Sequence, residues 1–371
     1  MKPLITLTID GREATVPPGT TIWQAARQVG IEIPVLCHDP RLRPVGVCRI
    51  CVVDVGERVL AAACVRDAAG GMTVTTGSEK VERCRKTLTE LLLADYPRES
   101  LREKTTGDDL LLDLARRYGL RHDALALPRG DSRPMDLSSP VIAVDHAACI
   151  LCDRCIRACD EIQHNDVIGR SGKGYNARIA FDLDSPMGQS SCVSCGECAA
   201  VCPTGALTHK SLTAPIRPRA ELLAVDSVCP YCGVGCAITV HVNPQQNAVV
   251  LVDGRPSPGN QGRLCVKGRY GFDYALHSQR LTVPLIRRPE FYPKGPLSSD
   301  VKGDGRRRKP GGIVDYAEML PAFREATWDE ALDLIARRLQ AIKETHGPRA
   351  LAGFGSAKCS NEEAYLFQKL V

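Results

Sequence analysis

Two stretches decide the reading: Cys149-Ile150-Leu151-Cys152-Asp153-Arg154-Cys155-Ile156-Arg157-Ala158-Cys159, and Cys192-Val193-Ser194-Cys195-Gly196-Glu197-Cys198-Ala199-Ala200-Val201-Cys202-Pro203. Each is spaced C-x2-C-x2-C-x3-C, so one arrangement of four thiols occurs twice. The chain has 371 residues and 18 cysteines. All but two of these cysteines fall into four such groups. The N-terminal residues Met1 to Gly11 contain no basic stretch leading into an apolar one and no twin arginine. No apolar run approaches the ~20 residues of a membrane span. The expected setting is therefore cytoplasmic, and in a reducing compartment clustered cysteines are metal ligands rather than disulfides.

The doubled run reads as a pair of [4Fe–4S] sites. In two-cluster ferredoxins the fourth cysteine of each run ligates the other cluster. One cluster is then expected on Cys149, Cys152, Cys155 and Cys202, and another on Cys192, Cys195, Cys198 and Cys159. A further group, Cys37, Cys48, Cys51 and Cys64, is spaced C-x10-C-x2-C-x12-C, and four thiolates on such a loop suit a [2Fe–2S] cluster. The last group is Cys229, Cys232, Cys236 and Cys265, spaced C-x2-C-x3-C-x28-C. Both outer groups contain the C-x2-C of a zinc half-site, and spacing alone leaves zinc open.

Other features carry less. Cys84 falls on the apolar side of a predicted helix and reads as a buried structural thiol. His38, His146 and His164 lie beside or near the cysteines and are expected to hydrogen-bond their surroundings, since every site already has four thiols. Gly169 to Gly174 is two residues too short for a phosphate-binding loop, and no helix is predicted after it. A net charge of +5 and 5% aromatic residues argue against nucleic acid and against a membrane surface.

Around the cysteines the chain divides into segments. Ile5, Leu7, Ile9, Ala14 and Val16 alternate about Asp10-Gly11, a hairpin signal. Thr21-Ile22-Trp23-Gln24 is a capping box, and Gly30 closes the helix that it opens. Residues 79–95 are expected to form a helix with Val81, Cys84, Leu88, Leu91 and Leu92 on its buried face, followed by a second helix from Asp108 to Tyr118. Strands are predicted at Ala237 to Val242, Ala248 to Val252 and, buried, at Ala350 to Phe354. Helices are predicted after Thr327, with Ala331, Leu332, Ile335 and Leu339 on one face, and from Glu362 to Leu370.

The cysteine-bearing text resembles known proteins in three places. The Cys37 group resembles the N-terminal ferredoxin domain of NADH-dehydrogenase large subunits, diaphorase-linked hydrogenases and NAD-linked formate dehydrogenases. Cys229-Pro230-Tyr231-Cys232-Gly233-Val234-Gly235-Cys236, with Leu264-Cys265-Val266-Lys267-Gly268, resembles the [4Fe–4S] domain of the molybdenum or tungsten bis-pterin oxidoreductases. The whole is similar to the α subunit of cytosolic NAD-dependent formate dehydrogenase, and residues 1–210 to the large electron-input subunit of complex I.

The resemblance implies an α+β multidomain chain. Its parts are a β-grasp [2Fe–2S] ferredoxin domain (1–78), a helical connector (79–139) and a two-cluster [4Fe–4S] ferredoxin domain (140–211). A small [4Fe–4S] domain (222–280), a linker (281–326) and the truncated start of an α/β pterin-binding domain (327–371) follow. It implies one [2Fe–2S] and three [4Fe–4S] clusters, with Lys267 between the last cluster and a pterin. A molybdenum or tungsten bis-molybdopterin guanine dinucleotide would belong to the complete protein, and FMN and NAD to a partner. The implied partners are a flavin- and NAD-binding diaphorase subunit, a small [2Fe–2S] subunit and the remaining pterin-binding domains. Related proteins often carry a further His-x3-Cys-x2-Cys-x5-Cys site after the first helix. The corresponding text here, Leu93 to Ser100, lacks it. The resemblance also argues against Cys359 as the metal ligand. No catalytic residue is expected in this chain, and formate oxidation is expected to need the missing pterin domains.

Overall fold

The computed structural model describes residues 3–121, 134–210, 215–277, 280–292 and 319–371. They form two compact units, Met1–Asp273 and Tyr274–Val371. The basic segment 301–312 lies outside the described residues.

The first unit begins with β1 (Ile5–Ile9) and β2 (Arg12–Val16), paired antiparallel. Asp10 and Gly11 both take positive φ, 47° and 79°, the backbone that a two-residue turn of matching twist requires. Thr21 and Gln24 close the capping box at the head of α1 (Ile22–Gln28). Gly30, at φ 72°, ends that helix. Short strands β3 (Val52–Val53) and β4 (Ala61–Ala62) pair beneath it. Next, β5 (Thr73–Val74) lies parallel to β1, which completes a sheet of order β2-β1-β5. Leu7, Ile9, Val16, Ile22 and Trp23 fill the space between sheet and helix together with Cys51 and Cys64. The cysteine loop is thus packed into a core in which each large apolar side chain contributes ~1.5–3 kcal/mol.

The connector contains α2 (Glu79–Ala94), α3 (Leu101–Lys104) and α4 (Leu110–Arg117). The buried face of α2 is turned from the expected one, although Val81 is buried and Leu88 and Leu92 pack half-buried against the core as predicted. Val81, Arg85, Thr89 and Leu93 are buried, Leu91 is 51% exposed and Cys84 is half-buried. The rotation has a cause: Arg85 turns inward and donates to the carbonyls of Ile50 at 3.1 Å and Val52 at 2.8 Å, in the first cysteine loop.

The doubled run folds as two matching loop–helix units. Each C-x2-C-x2-C loop is followed by a short helix, α5 (Arg154–Arg157) or α6 (Glu197–Val201). β6 (Ile142–Val144) pairs with β9 (Leu207–His209), which brings the ends of the segment together. Between the runs, β7 (Ile168–Ser171) and β8 (Arg178–Phe181) form a hairpin, so Gly169 to Gly174 belongs to a strand and its turn. The unit closes with β10 (Leu223–Val228), β11 (Ala237–Asn243) and β12 (Ala248–Gly254) in an antiparallel sheet, then α7 (Val266–Tyr270). β10 was not foreseen. Its six residues are all exposed, and its apolar Leu223, Val225 and Val228 do not keep a strict alternation.

In the second unit β13 (Leu285–Arg287) pairs with β14 (Phe323–Glu325). Thr327 caps α8 (Trp328–His346), and a Ser360–Glu363 capping box starts α9 (Asn361–Leu370). Of the predicted face of α8 only Ala331 is buried; Leu332 and Ile335 are 55% and 53% exposed. Ala350 to Phe354 is not a strand, and Phe354 is 96% exposed. That short apolar run finds no strand to pair with among the described residues, and without a ladder it stays irregular.

Candidate iron–sulfur centres

The doubled run shows how the chain builds a site. Leu151 and Asp153 take φ 53° and 58°; the equivalent Ser194 and Gly196 take 55° and 77°. Left-handed residues at these two places curl each loop so that its three cysteines face inward. Three of the four residues are not glycine, and such positions persist only where the surroundings enforce them.

The fourth cysteine comes from the other run. Cys149, Cys152, Cys155 and Cys202 line one pocket together with Ile150, Ile179 and Thr204. On the other side Cys192, Cys195, Cys198 and Cys159 influence one another electrostatically. Burial, the largest contribution, pushes the thiols up: Cys149 to about 11, Cys152 to about 12 and Cys195 to about 11. Neighbouring thiolates push the same way. Four such groups become thiolates together only when a cation compensates them, which is how these sites fit an iron–sulfur core.

The Cys37 group converges more tightly. Cys51 and Cys64 sulfurs are 3.3 Å apart, and the Cys37 amide donates to the Cys48 sulfur at 3.4 Å. Hydrogen bonding from Cys48 and Cys64 holds the Cys37 thiol far below its ordinary range. The same bonding raises Cys64. His38 is buried edge-on to Trp23, with ring centroids 4.5 Å apart. Among the described residues neither of its ring nitrogens has a protein partner, contrary to the expected hydrogen bonding. His164 is exposed.

Cys229, Cys232, Cys236 and Cys265 gather at the end of the β10–β12 sheet. The Cys229 amide donates to the Cys236 carbonyl at 2.9 Å, and Gly235 (φ 59°) makes the turn between Cys232 and Cys236. Gly268 lies against this group: a Cβ there would stand 3.6 Å from the Cys229 sulfur. Lys267 is exposed on α7, two residues beyond Cys265. Among the described residues no three His, Cys, Asp or Glu side chains are arranged to hold a single metal ion.

Charged residues between the cysteines, which sequence reasoning passed over, tie the four groups together. Arg154 donates to the Leu36 carbonyl at 3.2 Å and pairs with Asp39 at 2.8 Å. Glu197, fully buried between Cys195 and Cys198, accepts from Arg269 at 2.5 Å, from the Leu264 amide at 3.0 Å and from Arg41 at 3.2 Å. Gly196 permits this: a Cβ there would overlap the Tyr270 hydroxyl and Arg269 Cδ. The available signal was a charged residue inside a tight cysteine run, a place where exposure cannot be assumed.

The comparisons with known proteins follow the same segments. Residues 2–79 match the 2Fe-2S iron-sulfur cluster binding domain. Residues 139–208 match the ferredoxin-like domain of NADH-quinone oxidoreductase subunit 3. Residues 223–277 match the molybdopterin oxidoreductase Fe4S4 domain, and 280–371 the molybdopterin oxidoreductase model. The chain is 34% identical to the NADPH-Fe(3+) oxidoreductase subunit alpha of Geobacter sulfurreducens, over 99% of this chain and 39% of that one. It is 32% identical to an NADH-quinone oxidoreductase subunit of Rhizobium meliloti, over 99% and 39%. It is also 28% identical to a Staphylococcus aureus protein named "Putative formate dehydrogenase", over 100% and 38%. The chain thus spans about two fifths of the length of these curated relatives. A solved NAD+-reducing [NiFe]-hydrogenase in the H2-reduced state is similar with TM-score 0.52 and 32% identity, over 58% of this chain and 92% of that one.

Proposed function

The chain belongs with the molybdopterin oxidoreductase-type subunits that resemble the large subunit of complex I, as their iron–sulfur electron-transfer region, and we propose that it conducts electrons from formate oxidation to a flavin and NAD-binding partner. The observation that carries the conducting role is the crossing of Cys159 and Cys202 into each other's runs, which puts two four-thiol sites side by side. Iron–sulfur clusters held there supply sites that take up and release one electron at a time.

In this reading Cys37, Cys48, Cys51 and Cys64 hold a [2Fe–2S] cluster, and the other three groups hold [4Fe–4S] clusters. The protein's own contribution is to fix the order of the sites, exclude water from them and place hydrogen-bond donors around them. The Cys37 end faces the diaphorase partner, and a small [2Fe–2S] subunit completes that contact. At the other end Lys267 lies between the Cys229 group and a molybdenum or tungsten bis-pterin held by further pterin-binding domains. The exposed apolar face of α8 supports such further domains. No helix among the described residues is long and apolar enough to cross a membrane.

A second reading draws on the NADH-quinone oxidoreductase and hydrogenase relatives: the same wire would be the electron-input part of such a complex. The match of 280–371 to the molybdopterin oxidoreductase model favours the first over the hydrogenase relative, which covers 58% of this chain; the NADH-quinone oxidoreductase relative aligns over 99% of it. Anaerobic purification with metal analysis and EPR tests the wire: one two-iron and three four-iron signals are expected, and zinc in place of iron would sink it. Formate-dependent reduction of those signals in the complex with its pterin-bearing domains separates the two readings. Reduction by NADH but never by formate would overturn the first.

A further inference from the structure

Arg157 lies in α5, between Cys155 and Cys159, and only 8% of it is exposed. Its Nη2 donates to the carbonyl of Cys37 at 2.6 Å and to that of Cys152 at 3.4 Å. Its Nη1 donates to the carbonyl of Arg43, and its Nε has no partner among the described residues. Every hydrogen bond that it makes is to a neutral carbonyl. Among the described residues no carboxylate pairs with it; the nearby Asp39 is engaged by Arg41 at 3.1 Å and Arg154 at 2.8 Å.

A guanidinium keeps its charge under all ordinary conditions. Burying it unpaired costs several kcal/mol, so buried cations have an anionic partner. Two other buried junction arginines obey the rule: Arg154 pairs with Asp39 at 2.8 Å, and Arg269 donates from Nε to the Cys195 carbonyl at 2.9 Å and pairs with Glu197 at 2.5 Å. Arg157 has instead the two cysteine groups whose carbonyls it holds, through Cys37 and Cys152. Four thiolates around an iron–sulfur core carry a net negative charge, and each reduction adds another.

We infer that Arg157 is the shared counter-ion of the first two clusters, the one on Cys37, Cys48, Cys51 and Cys64 and the one on Cys149, Cys152, Cys155 and Cys202. It is a positioning residue: it fastens the two ligand loops together, and its charge favours an electron on either cluster. The inference rests on the iron–sulfur reading above. Cluster potential responds to net charge and hydrogen bonding. Removing the cation therefore lowers both potentials. The clusters of the Cys192 and Cys229 groups keep theirs.

The test uses the intact chain with its clusters and compares Arg157→Gln and Arg157→Lys with the parent. Iron and acid-labile sulfide are measured first, then each cluster is titrated potentiometrically by EPR. In Arg157→Gln the reduced-to-oxidised ratio of the first two clusters at fixed ambient potential is expected to fall about tenfold, which for one electron is ~59 mV. The other two clusters stay put, and Arg157→Lys restores the parent values. Unmoved potentials in Arg157→Gln at full cluster content overturn the inference, as does an equal shift of all four clusters. If Arg157→Gln fails to assemble, Arg157→Lys decides: parent potentials support the counter-ion, and displaced ones at full content overturn it. Loss of clusters in both variants reduces Arg157 to a structural residue and overturns the proposal. A parent chain lacking either cluster overturns the iron–sulfur reading as well, whereas normal content with unmoved potentials overturns the inference alone.

Discussion

Replacing Glu197 by alanine should release the fourth cysteine group from the third. Glu197 has no exposed side-chain surface, and its partner Arg269 keeps 2%. Truncation leaves that guanidinium only Asp253, 3.9 Å away, breaks the 3.0 Å bond from the Leu264 amide and leaves Arg41 with Asp39 alone. Breaking one side of a buried ion pair costs roughly 3–5 kcal/mol. At 1.4 kcal/mol per tenfold, local opening at this joint becomes more frequent by roughly two to three and a half powers of ten. Hydrogen exchange of the Leu264 amide reads this directly, since its acceptor is the deleted oxygen. Exchange near Leu264 and Arg269 should accelerate on that scale while the β1–β2 hairpin keeps its protection. The double variant Glu197→Ala/Arg269→Met should lose less than the single one, because no charge is then stranded. Unchanged Leu264 exchange in Glu197→Ala, or a double variant that is worse than the sum of the singles, would refute the reasoning.

Gly196→Ala should detach the same joint by a different route. It places a side chain at φ 77°, ~1–2 kcal/mol of backbone strain, and overlaps Tyr270 and Arg269; proteolysis of residues 223–273 should speed up with the first domain intact. His209 is buried with its Nδ1 2.7 Å from the Tyr270 hydroxyl, and burial lowers its pKa from 6.5 to about 3. Below pH 6.5 the unfolded chain then binds a proton that the folded chain refuses, so stability falls as pH drops from 6.5 towards 3, by at most ~1.4 kcal/mol per pH unit for one group. His209→Gln should flatten the denaturant-midpoint profile over that range, and an unchanged slope counts against the assignment. Chelating the iron should abolish the ellipticity contributed by residues 140–211, because the ligand loops have little else to hold them; an unchanged spectrum would be the contrary result.

The cysteine spacing made the four groups legible, and Asp10-Gly11 and the Thr21 box made the first domain legible, because each rests on local chemistry. What escaped depends on partners distant in sequence. Arg85 turns α2 by reaching the carbonyls of Ile50 and Val52, which a helical wheel of leucines cannot reveal. Glu197 and Arg157 look like surface charges until the packing of one domain on another buries them. β10 escaped because its apolar residues Leu223, Val225 and Val228 do not keep the period of two, and its pairing with β11 is made by the backbone.

The exchange of Cys159 and Cys202 between the two loops also bears on synthesis. While the chain emerges from the ribosome, the first loop stays one cysteine short until about fifty further residues have appeared, roughly 3–10 s at ordinary elongation rates. Neither loop can be completed without the other. A chain interrupted between the two runs therefore retains no finished four-thiol site in this segment, and loading becomes an all-or-none inspection of the newly made protein.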